Sequence, residues 1–427
     1  MKNKKEKEYY WRRLDDQARI FTLASSKKYS SIFRLSIVLK EKIEEDLLKK
    51  ALDLALKKYK VFKVKMRRGI FWHYFEENIK EPIVSIENDY PFKKINTKEN
   101  NDYLFKVTYF DNKINIDFFH ALTDGSGGSD FLKEITYRYL ELKYPNEIQK
   151  KEMEDIQITD AENSYNTNYK KHTVRRVFYK RAYRIRGKRL SGGRIKINHF
   201  NIKLKQFLNV SKQNDCTLTM YAIAMIAYCI YDTKYRVNIG RKHINISVPI
   251  NLKKYFTSDT TSNFFSYIVV NLKLKRFKKY SFYDILGMVK NEFKKKLKAE
   301  KILETLSTDM SLIHNPLVRA VPLFLKKFFV RCGSLEIKRH FTMNISNIGK
   351  FEVEEEYKKY VKQFFVILSP DWAERIKCGI CSYNDNLVIT FATTLEDNLI
   401  QNKLKELLKE KNINFYVEGN DINVISN

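Results

Sequence analysis

The stretch FFHALTDGSGGSD (118–130) closes one structural element and opens another. Before it, YLFKVTYFDNKINIDFF (103–119) reads as two strands divided by Asp111, Asn112 and Lys113. Ile114, Ile116 and Phe118 alternate there with Asn115 and Asp117, the period-2 pattern of a half-buried strand. After it, 131–144 carries a helical pattern. His120 therefore sits in a strand-to-helix loop, with Asp124 four residues on. Gly125, Gly127 and Gly128 permit a sharp bend with positive φ. An imidazole presented in this way can accept and return a proton near neutral pH. His73, His172, His199, His243, His314 and His340 have no acid at comparable spacing and read as surface or core residues.

Working outward, 32–39 reads as a strand and 43–59 as an amphipathic helix with Leu47, Leu48, Ala51, Leu54 and Ala55 on one face. A hairpin over 61–66 and 70–75 follows. Residues 144–170 are polar and aperiodic, which places a boundary within 150–195. Beyond it, 204–210 and 217–231 read as helices, 244–248 and 268–274 as strands, and 282–306 as one long Lys-rich helix. Residues 316–332 form a further helical candidate, kinked or broken at Pro322. Strands at 375–383 and 387–393 flank an Asn384-Asp385-Asn386 turn, and Thr394 to Asp397 matches a capping box opening a helix to about Lys411. Strand and helix alternate throughout, so the fold class is α/β.

With 427 residues, 44% of them apolar and 14% aromatic, the chain has core enough to exclude intrinsic disorder and length enough for two domains or one duplicated body. Five cysteines, odd in number and sparse, argue against a disulfide scaffold and for a reducing compartment. The basic N-terminus runs into no apolar segment. The longest nearly apolar run, LTMYAIAMIAYCIY (218–231), is too short to span a bilayer and reads as a central core helix, so a cytoplasmic protein is expected.

The net charge is +30, and 170–196 holds twelve basic residues and no acid. A solvated interdomain connector is the first reading of that run. An anionic surface or carrier protein comes second, and nucleic acid is disfavoured for want of a zinc finger, RNP or helix-turn-helix signature. Cys378-Gly-Ile-Cys381 has no second ligand pair, and its alternating setting puts the two thiols on opposite faces of a strand, so no metal site is expected. Dinucleotide, phosphate-loop and GxSxG fingerprints are missing from the sequence.

HxxxDG at His120, Asp124 and Gly125 is accompanied by DDQARIFTL from Asp15, with Gln17, Arg19, Phe21 and Leu23, and by ISVPINLKKYF (246–256), TSNFF (261–265) and NISNIG (344–349). Together these resemble the HxxxDG acyltransferase superfamily of chloramphenicol acetyltransferase, peptide-synthetase condensation domains, plant BAHD enzymes and alcohol acetyltransferases. The likeness is nearest to the condensation-domain and alcohol-acetyltransferase branch and covers the whole chain. It implies two chloramphenicol acetyltransferase-like lobes with mixed sheets, a V-shaped pseudo-dimer in one chain. The N-terminal lobe would be 1–165, the basic connector 166–196 and the C-terminal lobe 197–427, with acceptor and donor entering a tunnel from opposite faces.

By the same resemblance, His120 is the general base, Asp124 a structural acid paired with Arg19, and Gly125 the turn residue. Ser247, Asn251, Asn263, Ser346 and Asn347 would line the tunnel, one of them donating to an oxyanion. No cofactor would be bound permanently. Acyl-CoA or an acyl carrier thioester would be co-substrate, with a small-molecule hydroxyl or amine as acceptor and a carrier protein among the candidate partners. Phe119 replaces the first His of the condensation-domain motif and no DFGWG segment is present, which puts O- or N-acylation, acetyl transfer included, above peptide-bond synthesis. Two rivals stand beside this: a non-catalytic condensation-like protein binding a carrier protein or anionic polymer through its basic surface, and peripheral membrane contact through the aromatics and cations of 175–189.

Overall fold

The computed structural model describes residues 10–26, 31–88, 90–92, 95–148, 163–168, 181–236, 243–258, 260–275 and 277–420. The alternating segment before His120 forms the antiparallel hairpin Phe105–Phe110 and Lys113–Phe119, as its pattern predicts. These two strands belong to a five-stranded mixed sheet in the order Val361–Leu368, Ile32–Leu39, Lys113–Phe119, Phe105–Phe110, Val84–Ile86. Helices Glu45–Lys58 and Gly125–Lys143 pack together beside it, the first burying Leu48, Ala51, Leu52, Ala55 and Leu56. A small three-stranded sheet joins Trp11–Arg13 to the hairpin Val64–Arg68 and His73–Glu77.

The second lobe is built on a seven-stranded mixed sheet, ordered Phe265–Leu272, Ile244–Asn251, Met343–Lys350, Ile376–Tyr383, Asn386–Thr393, Lys196–Lys203, Phe415–Gly419. The apolar helix Leu218–Ile230 is buried in its core with Phe282–Lys296 and Leu399–Glu410, which explains an apolar surface all round. Among the described residues no single helix is long and apolar enough to cross a membrane. Cys378 enters the core of this lobe while Cys381 enters the core shared with the first, so the thiols do face opposite sides.

The strand Val361–Leu368 departs from the division at 197: it pairs antiparallel with Ile32–Leu39 and completes the N-terminal sheet. Its carbonyl at Val366 lies so near Gly379 that a Cβ there would come closer than 3.0 Å, and glycine lets the two sheets meet.

Three element expectations need correction. The single helix over 282–306 is two helices, Phe282–Lys296 and Ala299–His314, because Lys298 is extended and turns the second onto a separate core of Ile302, Leu306 and Met310. The capping box over 394–397 is not made: the helix Leu399–Glu410 begins after Asn398 without a side-chain cap, and Asp397 pairs with Lys234 at 2.8 Å. The connector of 166–196 is solvated only in part: 186–189 and 191–194 are exposed, but 182–185 pack on the second lobe. Ala182 and Ile185 are buried, the Tyr183 N–H donates to the His243 carbonyl, and Arg181 and Lys188 pair with Glu336 and Glu396. The part of the basic run at 170–180 lies outside the described residues.

Candidate active site

His120 follows the strand Lys113–Phe119 directly, and its backbone N–H donates to the Ser31 carbonyl at 2.9 Å. Its ring stacks on Phe21 with centroids 4.4 Å apart and lies against Phe33 and Phe265. Nδ1 is 3.1 Å from Asn263 Oδ1. The amide orientation follows from its other side, where Asn263 Nδ2 donates to Asp15 Oδ2 at 3.2 Å. Asn263 must then accept from His120, so Nδ1 carries the proton and Nε2 keeps its lone pair. Burial lowers the His120 pKa below the ordinary histidine value, against the opposing Asp124 charge and Asn263 bond. The ring is thereby held neutral and able to take a proton.

Asp124 does not meet Arg19. It is the N-cap of the helix Gly125–Lys143, Oδ1 accepting from the Ser126 and Gly127 N–H groups, while Oδ2 accepts from the Phe264 N–H at 3.1 Å. Backbone donors satisfy both oxygens. Arg19 instead pairs with Asp16 at 3.0 Å and lies over the Trp72 ring, in a concavity separate from that of His120.

The loop glycines act by close approach, since none of Gly125, Gly127 and Gly128 has positive φ. A Cβ on Gly127 would come closer than 3.0 Å to the Thr261 carbonyl oxygen, which also accepts from Thr123 Oγ1 at 2.8 Å. Residues 261–264 of the second lobe thus clamp the histidine loop at Thr123, Asp124 and His120.

His120 lines a cavity of about 1030 Å³ between the lobes, together with Asp124, Gly125 and four of the five residues expected in the tunnel, Ser247, Asn251, Ser346 and Asn347. The fifth, Asn263, sits behind the imidazole. Asn347 is engaged by Thr219 and the Gly349 N–H, and Asn251 accepts from the Lys253 N–H. Ser247 and Ser346 make no side-chain hydrogen bond among the described residues, which leaves their hydroxyls as donors toward the cavity.

Two features around the loop 369–375 went unread in the sequence. Lys338, Asp371, Glu374 and Lys377 form a buried charged cluster on the cavity wall, Asp371 lying 3.1 Å from Lys338 and 3.4 Å from Lys377. Burial pushes Asp371 up, but the two lysines and two backbone N–H groups prevail and hold it at about 2. The same loop gives Trp372 and Arg375 to a second concavity shared with Arg184, Arg186 and Arg189. None of these four arginines has a carboxylate partner among the described residues, and Arg184 and Arg189 donate to the Trp372 carbonyl.

No protein-family model matches the chain, and no curated protein sequence does. Solved structures do. Polyketide synthase associated protein 5 from Mycobacterium tuberculosis superposes with a TM-score of 0.58 at 12% identity, over 93% of this chain and 96% of that one. The chain shares that fold, two lobes in one polypeptide. Trichothecene 15-O-acetyltransferase from Fusarium sporotrichioides matches with a TM-score of 0.56 at 9% identity, over 94% of each chain. The starter condensation domain of rhizomide synthetase, solved with C8-CoA and Leu-SNAC, gives 0.56 at 10% identity, over 94% and 93%. At these identities the likeness is one of fold, and in the condensation-domain fold seen here the large cavity opens beside the imidazole.

Proposed function

We propose that this protein is an acyltransferase that moves an acyl group from a thioester to a hydroxyl or amine, with His120 Nε2 as general base. The observation that carries the reading is the His120 imidazole on the wall of the interlobe cavity, its Nδ1 3.1 Å from Asn263 Oδ1 and thereby turned so that Nε2 is left to act. Nε2 takes the acceptor proton as the oxygen or nitrogen attacks the thioester carbonyl. The tetrahedral oxyanion is met by the Ser247 or Ser346 hydroxyl, the C–S bond breaks, and the thiolate takes the proton back from the imidazolium. No acyl-enzyme forms. Asp124 shapes the loop as an N-cap and touches no reacting atom.

A neighbour solved with C8-CoA and an aminoacyl thioester analogue, and another named as an O-acetyltransferase, support a thioester donor and leave both acceptor classes open. Arg184, Arg186, Arg189 and Arg375 around Trp372 support a donor that carries phosphate, as CoA and phosphopantetheine do. Thiol release from acyl-CoA donors tests the reading. His120→Ala should lose ~10²- to 10⁴-fold in rate while staying folded. Undiminished transfer by the folded variant would overturn the mechanism, and no thiol release by the parent with any donor would favour the binding-only rival.

A further inference from the structure

Single exposed apolar residues are ordinary, but a contiguous patch marks a contact surface. On the helix Leu323–Lys338, Phe324, Phe328 and Phe329 are 59%, 62% and 64% exposed, and the Phe328 and Phe329 rings lie 5.5 Å apart. Leu317, on the short helix before it, is 80% exposed, and Ile70, at the tip of the hairpin, is 77% exposed. These elements are tied together: the Leu323 N–H donates to the Ile70 carbonyl, and the buried Lys326 ammonium donates to the Phe71 carbonyl while sitting 3.8 Å over the Trp72 ring. The apolar residues therefore form one face and not scattered points.

Cations surround it. Arg68, Arg319, Lys327 and Arg331 have no carboxylate partner among the described residues. Arg68 ends the hairpin strand Val64–Arg68 two residues before Ile70, Arg319 follows Leu317 by two residues on the short helix, and Lys327 and Arg331 lie on the helix Leu323–Lys338 itself. Glu336, the acid of this helix, is already paired with Arg181 and Arg339. The patch is thus apolar in the middle and positive at its edge, the signature of an interfacial helix facing anionic headgroups.

The other side of the helix faces the catalytic cavity. Phe329, Val330, Gly333, Ser334 and Ile337 line it, as do Val318 and Val321 just upstream. Phe329 belongs to both surfaces. An acidic protein partner would need the cationic rim but not this continuity with an apolar cavity, whereas a substrate partitioned in a bilayer needs both.

We infer that the face of Ile70, Leu317, Phe324, Phe328 and Phe329 docks on an anionic membrane surface, and that a lipophilic acceptor or acyl chain passes between bilayer and cavity along the helix Leu323–Lys338. The docking stands on the surface alone; the passage of substrate rests on the acyltransferase reading.

The test is co-sedimentation of the full chain with phosphatidylcholine vesicles, with and without phosphatidylglycerol, compared with the double variant Phe324→Glu, Phe328→Glu. Both side chains are solvent-exposed, and the thermal transition reports whether the variant folds. The parent should pellet with the phosphatidylglycerol vesicles, less so as salt is raised, and the double variant should partition roughly tenfold more weakly. A parent that stays in the supernatant with both vesicles overturns the docking, as does equal binding by a folded double variant. A stable dimer in sedimentation velocity, dissociated by the same substitutions, would overturn it in favour of a contact between copies. Sedimentation needs no turnover, so failed docking leaves the transfer reading intact, and a fully active His120→Ala variant leaves docking intact.

Discussion

Replacing Asn263 with Ala should uncouple the base from its orientation while leaving the imidazole in place. The side chain accepts the His120 Nδ1 proton at 3.1 Å and donates to Asp15 at 3.2 Å, so the substitution strands a donor and an acceptor together. A buried polar group without a partner costs about 1–3 kcal/mol. On the histidine this cost falls on the tautomer that keeps Nε2 free, and the ring gains by placing its proton on Nε2, where it can no longer serve as base. Converted at 1.36 kcal/mol per decade, the loss in kcat/KM is roughly 5- to 150-fold. Thiol release under substrate-limited conditions measures it, with His120→Ala as the floor and thermal unfolding as the check on folding. A folded Asn263→Ala variant within about twofold of the parent across the pH range would refute the reasoning, since the Nδ1 proton would then have another acceptor.

Asp15→Asn should remove a pH dependence of stability between about pH 4 and pH 6. Burial raises the Asp15 pKa from 3.8 to about 6, so the native state binds this proton more tightly than the unfolded chain does. Its stabilising contribution is complete below the unfolded value and is lost as pH rises through about 6, which leaves the charged carboxylate costing at most ~3 kcal/mol above that. Asn is an equally good N-cap, but its amide nitrogen cannot accept from Asn263 Nδ2, so a pH-independent loss of about 1–3 kcal/mol accompanies the substitution, and the Tm of the variant relative to the parent should rise between about pH 4 and pH 7; a difference independent of pH would exclude Asp15 titration as its source. Gly127→Ala should lower Tm by the equivalent of ~1–3 kcal/mol, because its Cβ would meet the Thr261 carbonyl, a backbone atom that cannot rotate aside. Gly125→Ala, which meets only the Ile348 side chain, should cost less, and equal melting of the two variants would contradict the clamp.

What could be read from the sequence was local. The hairpin before His120, the buried apolar helix Leu218–Ile230 and the opposed thiols of Cys378 and Cys381 each follow from a periodicity within one element. The loop residues His120, Asp124 and Gly125 were found because they are close in sequence and chemically unusual together. The Arg19 pairing failed although a local signal contradicted it: an Asp immediately before a helix start is already satisfied by that helix's N–H groups. The Asp15–Asn263 contact spans 248 positions, and nothing in DDQAR or TSNFF announces the other. The strand Val361–Leu368 shows how far the limit reaches: it went unread in the sequence, and its apolar run Phe364–Leu368 carries no information about which sheet will take it.

Those long-range features account for why the site needs both lobes. The first lobe supplies His120 and the N-cap, yet the proton on Nδ1 is held by Asn263, the loop is capped by the Phe264 N–H, and the close packing at Gly127 is against Thr261. Val361–Leu368 runs the other way, lending the first sheet a strand whose following loop brings Asp371 and Glu374 to the cavity wall. Each lobe therefore carries a piece that is satisfied only against its neighbour. A cavity formed this way can vary in width and polarity through the residues that line it, such as Ile337 and Phe341, while the His120 ring stays fixed from behind by Asn263 and Asp15, which do not line it.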